Sequence, residues 1–245
     1  MKILVTAGGT IAPIDRVRFI SNAFTGKTGA RIALAAFERG HHVTLLTSHP
    51  ETALGLFEKF SANSNWELKT YRTIDDLLIE MRDHLMSGSF DAIVHSAAVS
   101  DYRSAGIYAL APGVKLETDK DAMRSAGPVR FIDRSGDKVK SDESELWLRL
   151  VRTPKLIDLI RTDWNFTGVI VKFKLEVGVT DPELLEIAER SRLQSNADLM
   201  VANTLEHASD WAYIGPQDGR YERVVRQDLP ARLIELVERL ERAHG

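Results

Sequence analysis

The sequence predicts an α/β fold: a Rossmann-like, doubly wound, mainly parallel sheet with a long flap loop and a C-terminal β-hairpin followed by a helix. Three observations predict it. Apolar, β-branched runs alternate with helical patterns, and no Pro/Gly/Ser linker, low-complexity segment or internal repeat interrupts them; a parallel sheet covered on both faces has this pattern. The first run, 2–5, breaks at once into Ala7, Gly8, Gly9 and Thr10, the kind of turn that an open α/β sheet puts at a strand's carboxyl end. The chain has 245 residues with 44% hydrophobic content. That can build one sizeable domain spanning 1–245, with a flap at about 103–140 and a hairpin at about 212–227.

The elements follow in order. After Gly26-Lys27-Thr28-Gly29, an apolar helix runs from Ala30 and stops at Gly40. Residues 42–47 read as a second strand, 51–61 as a helix and 66–71 as a third strand. Residues 74–86 form an amphipathic helix, with Leu77, Leu78, Met81 and Leu85 at helical spacing. Residues 91–99 read as the fourth strand, whose end sets Asp101 at a carboxyl edge, where open sheets bind ligands. Residues 103–140 are dominated by Gly, Pro, Ser and charge, so they read as a lid, a binding loop or a disordered segment. A strand at 146–151 precedes a helix at 154–164 opened by Pro154 in its first turn. A strand at 168–175, a helix at 181–194 with Asp181 as cap and Pro182 as first residue, and a strand at 199–203 come next. The hairpin is interrupted at 215–219, and Asp228-Leu229-Pro230 starts a closing helix with Leu233, Val237 and Leu240 on one apolar face.

Composition excludes several classes. A formal net charge of −3 offers no basic field for nucleic acid or an anionic membrane. No apolar run approaches the roughly eighteen residues of a membrane span, and no leader precedes the first strand, so a soluble cytoplasmic protein is expected. The absence of cysteine rules out disulfides, thiolate metal sites and a cysteine nucleophile. None of His41, His42, His49, His84, His95, His207 and His244 has the i, i+4 spacing of a helical metal pair. No protein metal site is expected; magnesium arrives with a nucleotide.

The chemistry concentrates in the first thirty residues. Paired glycines let backbone N–H groups turn toward a ligand that a Cβ would block, which suits an anion. The helix start that follows offers a second anion site. A P-loop would need glycine where Ser21 stands, and Gly8-Gly9 with no further glycine until Gly26 lacks the nicotinamide spacing. From these residues alone, the stretch is either an anion-binding loop or an ordinary glycine-rich βα turn.

The segments Thr6-Ala7-Gly8-Gly9-Thr10, then Pro13-Ile14-Asp15-x-Val17-Arg18-Phe19-Ile20-Ser21-Asn22, then the glycine-lysine helix start, closely resemble the opening of phosphopantothenoylcysteine synthetase, the ligase of coenzyme A biosynthesis. The resemblance recurs in the family's order at 96–102, 138–141, 153–155, 173–176 and 198–203. It implies that a nucleoside triphosphate activates the carboxylate of 4′-phosphopantothenate as an acyl nucleotide, and that cysteine's amine displaces the nucleoside monophosphate. By this resemblance Asn22 engages the acyl intermediate, and Lys138 is a catalytic lysine on a mobile flap. Gly8, Gly9 and Thr10 give backbone N–H groups to phosphate, and Asp101 contacts the nucleotide. Pro154, Lys155, Leu156, Ile157 and Phe173 frame its base and ribose. Ala97 and Ala98 join Asn22 at the substrate.

The chain departs from the usual bacterial pattern in one respect. Where two lysines are expected on the helix before the strand at 199–203, it has Ser191 and Ser195, with Arg190 and Arg192 nearby as replacements. Segments 163–164, 173–176 and 202–206 look more like the eukaryotic branch, which is similar in using ATP where the bacterial branch uses CTP. The resemblance also implies a homodimer, with the hairpin as a contributor. Bacterial members are often fused behind a flavin-dependent decarboxylase; nothing precedes residue 1, so no flavin is expected. Two other functions compete. A nicotinamide-dependent reductase or epimerase needs Tyr-x-x-x-Lys, and none of Tyr71, Tyr102, Tyr108, Tyr213 or Tyr221 has it. A nucleotide-binding member without ligase activity would leave nucleotide unconsumed.

Overall fold

The run Lys2–Ala7 folds as a strand, β1, buried on both faces: Ile3, Val5 and Ala7 enter one core cluster and Leu4 another. This is why the run is continuously apolar rather than alternating. The computed structural model describes residues 1–57, 64–119, 122–125 and 127–244. After β1 come β2 (Ile11–Pro13), β3 (Phe19–Ser21), α1 (Lys27–Glu38), β4 (His42–Thr47), α2 (Pro50–Phe57), β5 (Trp66–Thr70), α3 (Ile74–Met86) and β6 (Ala92–His95). The middle of the chain holds β7 (Tyr102–Leu110), β8 (Glu117–Asp119), β9 (Ala122–Arg124), β10 (Phe131–Asp133) and β11 (Trp147–Arg152). The last part holds α4 (Leu156–Thr162), β12 (Val169–Glu176), α5 (Asp181–Gln194), β13 (Leu199–Thr204), β14 (Trp211–Gln217), β15 (Arg220–Val225) and α6 (Leu229–His244).

These elements divide into two compact units. The larger takes Met1–Thr10, Asn22–Val99 and the chain from Lys155 on; the smaller takes Ile11–Ser21 and Ser100–Pro154. In the larger, an 8-stranded sheet runs β15-β14-β13-β12-β6-β1-β4-β5. Its strands pair in parallel from β13 to β5, while β14 and β15 add antiparallel at the edge. From β1 the chain winds outward to β4 and β5, then returns to the other side of β1 as β6. Strand order therefore reverses between β1 and β6, which opens a crevice at their carboxyl ends. One core, with α1 and α6, covers one face of the sheet; α3 and α4 cover the other through Leu77, Met81, Leu156 and Ile160. Leu233 and Val237 are fully buried and Leu240 packs beside them, as the apolar face of the last helix predicts.

Local boundaries differ from the sequence reading for physical reasons. Helix α1 begins at Lys27, a turn before Ala30, because Gly26 caps it in the left-handed region at φ 76°. The expected helix at 51–61 is seen to Phe57, and its remainder lies outside the described residues. Strand β6 ends at His95, so Asp101 is not at its edge; Asp101 precedes β7 in the smaller unit. Lys155 caps α4, leaving Pro154 outside the helix, and Thr180, with Asp181 following, caps α5, its N–H held by Glu183 Oε2 at 2.8 Å. The hairpin turns at Asp218 and Gly219, both at positive φ, and β14 runs through Gly215.

In the smaller unit, segment 103–140 carries more regular structure than its periodicity suggests. A three-stranded antiparallel sheet, β10-β7-β11, is built on it, and β8 pairs with β9. The pattern is weak because few side chains are covered: on β7 only Ile107 and Ala109 are buried.

Candidate active site

The crevice at the ends of β1 and β6 is built by glycines that exclude side chains from it. Gly8 stands at φ +89°, where an added Cβ would collide with Ser48 Oγ. A Cβ on Gly26, at φ +76°, would lie 2.5 Å from the Gly8 nitrogen, and one on Gly29 would strike Ser96 Oγ and Ala7. The turn after β1 and the start of α1 thus meet backbone to backbone. Tyr71 holds the turn from below, its buried hydroxyl donating to the Ala7 carbonyl at 2.7 Å.

The segment after β6 docks on the same turn. Ser96 donates its N–H (3.2 Å) and its hydroxyl (2.7 Å) to the Thr6 carbonyl, and Ala97 N–H reaches Thr6 Oγ1 at 3.2 Å. Ala98 N–H donates to the Gly8 carbonyl at 2.8 Å, and the Ala98 carbonyl accepts from Thr10 N–H at 3.2 Å. The same carbonyl accepts from the Asn22 side-chain amide at 2.8 Å. Gly8, Gly9, Thr10, Asn22, Ala97 and Ala98 are therefore one constellation. The Thr10 N–H, expected to face a phosphate, donates instead to the Ala98 carbonyl.

Beneath the crevice, Thr6 Oγ1 lies 2.9 Å from His95 Nδ1. Burial, with the Lys172 charge adding to it, pushes His95 down to about 4, so the ring is neutral. Leu156 and Ile157 are buried in the core cluster that Ala97 and Val99 pack against. Their side chains are structural, so any contact with a ligand would be through backbone. Phe173 packs on the core of the opposite face, and Lys155 is exposed. Neither arginine stands in for the missing lysines: Arg192 forks onto Glu189 at 2.6 and 2.9 Å and donates to the Ala197 carbonyl, and Arg190 pairs with Glu186 at 3.8 Å.

The smaller unit carries Asp101, Lys138 and Pro154, all exposed. Lys138 sits on a clamped segment rather than a loose one. Arg16 N–H donates to the Asp137 carbonyl at 3.0 Å, Val139 N–H to Asp15 Oδ2 at 3.1 Å, and Arg18 to the Val139 carbonyl at 3.0 Å. Arg18 also grips Asp15, and this hydrogen bond, helped by the N–H groups of Val17, Val139 and Arg18, holds the Asp15 carboxyl well below the usual carboxylate range. The clamp was missed in the sequence, where Asp15 and Arg18 were only letters of a motif.

Among the described residues no group of three His, Asp or Glu side chains is arranged to hold a metal ion, and no helix is long and apolar enough to cross a membrane. The family model of the DNA/pantothenate metabolism flavoprotein C-terminal domain matches residues 1–111. The chain is 28% identical over 244 residues to the coenzyme A biosynthesis bifunctional protein CoaBC of Thermococcus kodakarensis, covering 98% of this chain and 51% of that protein. The DNA/pantothenate metabolism flavoprotein of Streptococcus pneumoniae superposes with a TM-score of 0.75 at 28% identity, over 98% of this chain and 99% of that one. Over nearly its whole length this chain is similar to the bifunctional CoaBC proteins of coenzyme A biosynthesis, and the fold is that of the DNA/pantothenate metabolism flavoprotein. The chain is also similar to CoaBC of Escherichia coli K12, 26% identical over 206 residues, which are 83% of this chain and 41% of that protein. The chain spans about half the length of the curated relatives it matches. A Cab2 mutant in complex with phosphopantothenate-cysteine shares the fold, with a TM-score of 0.70 at 18% identity over 99% of this chain and 86% of that one.

Proposed function

We propose that this chain is a phosphopantothenate-cysteine ligase of coenzyme A biosynthesis, which condenses 4′-phosphopantothenate with L-cysteine through an acyl nucleotide made from CTP or ATP. One observation carries the reading: in a chain similar to the CoaBC proteins, Asn22, Ala97-Ala98 and Gly8-Gly9 meet at the crevice of the β1/β6 switch point.

In the first step a carboxylate oxygen of phosphopantothenate attacks the nucleotide's α-phosphorus, and the bond to pyrophosphate breaks. In the second, the cysteine amine attacks the acyl carbon, the nucleoside monophosphate leaves with the bonding electrons, and the amine loses a proton. Both steps concentrate negative charge, which fixed donors stabilise without reorganising. Gly8 and Gly9 would donate to phosphate, Asn22 to the acyl oxygen, and Lys138 would neutralise phosphate charge. Asp101, Pro154, Lys155, Leu156, Ile157 and Phe173 would surround the nucleotide. Magnesium entering with the nucleotide, a homodimer, a cytoplasmic location, no bound flavin, and residues 1–245 as one synthetase-like domain complete the proposal.

The test is a product assay. Purified chain with magnesium, 4′-phosphopantothenate and cysteine receives CTP or ATP in parallel tubes. Condensed product, pyrophosphate and nucleoside monophosphate in equal amounts are expected in at least one. Nucleotide bound but unconsumed in both would overturn the ligase reading in favour of a non-catalytic member.

A further inference from the structure

Lys172 stands on β12 directly beside His95, the last residue of β6, so its backbone is level with the strand ends that form the crevice. Its ammonium donates to the Ser191 carbonyl in the last turn of α5 at 2.8 Å and to Ser195 Oγ at 2.5 Å. Ser195, itself buried, donates its hydroxyl in a hydrogen bond to Asp158 Oδ1 on α4 at 2.6 Å. The only acid in this chain of contacts is thus reached through a hydroxyl. Lys155, the cap of α4, and Lys174, two residues along the same face of β12, are near enough to repel the Lys172 charge. Lys174 is itself paired with Glu176 at 2.9 Å. Burial first, and these two lysines after it, bring Lys172 down to about 8 against the pull of Asp158.

Tying α5 to β12 needs a hydrogen-bond donor, which a neutral amide could supply. It does not need three ammonium groups at one edge of the sheet. Like charges held together favour a polyanion that relieves their repulsion, and a half-buried cation binds one more strongly than a solvated one. We infer that Lys172, flanked by Lys155 and Lys174, is the cation that holds the polyphosphate of a nucleoside triphosphate in this chain, seated from a strand where the neighbouring α5 presents the uncharged Ser191 and Ser195. This deepens the proposed function and rests on it only in taking the ligand to be a nucleotide.

Calorimetric titration of the full chain with ATP and CTP, and with adenosine and cytidine, tests it. Lys172→Gln keeps a donor for Ser191 but removes the charge. It should weaken triphosphate binding roughly ten- to hundredfold and leave nucleoside binding unchanged. Lys172→Arg should stay within about threefold of wild type, and adding Ser191→Lys to Lys172→Gln should recover most of the loss. The inference is overturned if Lys172→Gln binds triphosphate as wild type does, if it loses nucleoside and triphosphate equally, or if the wild type does not prefer triphosphate to nucleoside. Should Lys172→Gln not fold, Lys172→Arg read against pH decides: wild type should lose triphosphate affinity above about pH 8 while the arginine variant keeps it, and parallel loss overturns the assignment. A failed product assay with this binding result intact removes the ligase reading alone.

Discussion

The side-chain amide of Asn22 donates a 2.8 Å hydrogen bond to the carbonyl of Ala98, 76 residues away in sequence. That carbonyl already accepts from Thr10, so one acceptor aligns the turn after β1, the segment after β6 and the amide that the proposed chemistry needs. An exposed side chain held this way is placed for a ligand; its contribution to folding is small. Asn22→Ala should therefore lower the ligase rate by about 10²- to 10³-fold while changing stability by less than about 1 kcal/mol. Steady-state rates and urea melts of the same preparation decide between roles. A variant that loses stability in step with activity would make Asn22 a turn anchor only.

The backbone contact between Gly26 and Gly8 makes a second prediction. Gly26→Ala puts a Cβ 2.5 Å from the Gly8 nitrogen at a φ of +76°, so both strain and displacement follow. A loss of about 1–3 kcal/mol is expected, together with weaker triphosphate binding. Gly40→Ala is the control, because φ is also positive there, at +85°, but nothing lies within 4 Å of the added Cβ. It should cost about 1 kcal/mol and leave binding unchanged. Equal effects of the two substitutions on binding would show that the glycine contact does not shape the crevice.

Much of this was legible in the sequence, and the exceptions have a common cause. Buried parallel strands announce themselves as apolar runs, so β4, β12 and β13 were found within a residue and β1 within two. The glycine turn was legible because only glycine satisfies both its φ and its spacing. What failed were features fixed by partners far away in sequence. The small sheet on β7 was obscured because most of its side chains are uncovered, so burial leaves no period to read. The commitment of the Thr10 N–H depends on Ala98, and the Asp15 clamp on Val139, 124 residues on. Lys172 was invisible as a site residue because its surroundings, Ser191, Ser195 and Asp158, come from two helices.

The Asp15 clamp predicts how the Lys138 segment behaves. Asp15 accepts from Arg18 and from the Val139 N–H, so Asp15→Ala releases both sides of that segment. Trypsin should then cut after Lys138 and Lys140 roughly tenfold faster than in wild type, in keeping with local opening rather than global unfolding. Product formation should fall alongside if Lys138 acts as proposed. An unchanged cleavage rate at those two lysines would mean that other contacts hold the segment.

The neutral His95 beneath the crevice sets a pH dependence of stability. Burial pushes it from the ordinary 6.5 down to about 4. Between those values the unfolded chain binds a proton that the folded chain refuses. Stability from this source is fully present above pH 6.5 and is lost progressively as pH falls toward 4. Over that window the loss is about 2–3 kcal/mol. Glu238 does not confuse the reading: hydrogen bonds from Arg39, and then His41, hold it at about 2, so its own loss begins only below its ordinary 4.5. Urea melts at pH 7 and pH 5 should show wild type weakening on acidification and His95→Gln weakening much less, whatever its starting stability. Because the Lys172 charge also depresses His95, Lys172→Gln should move the His95 ring titration upward in an NMR series. A His95 titration that stays fixed in that variant would separate the two groups and leave burial as the sole cause.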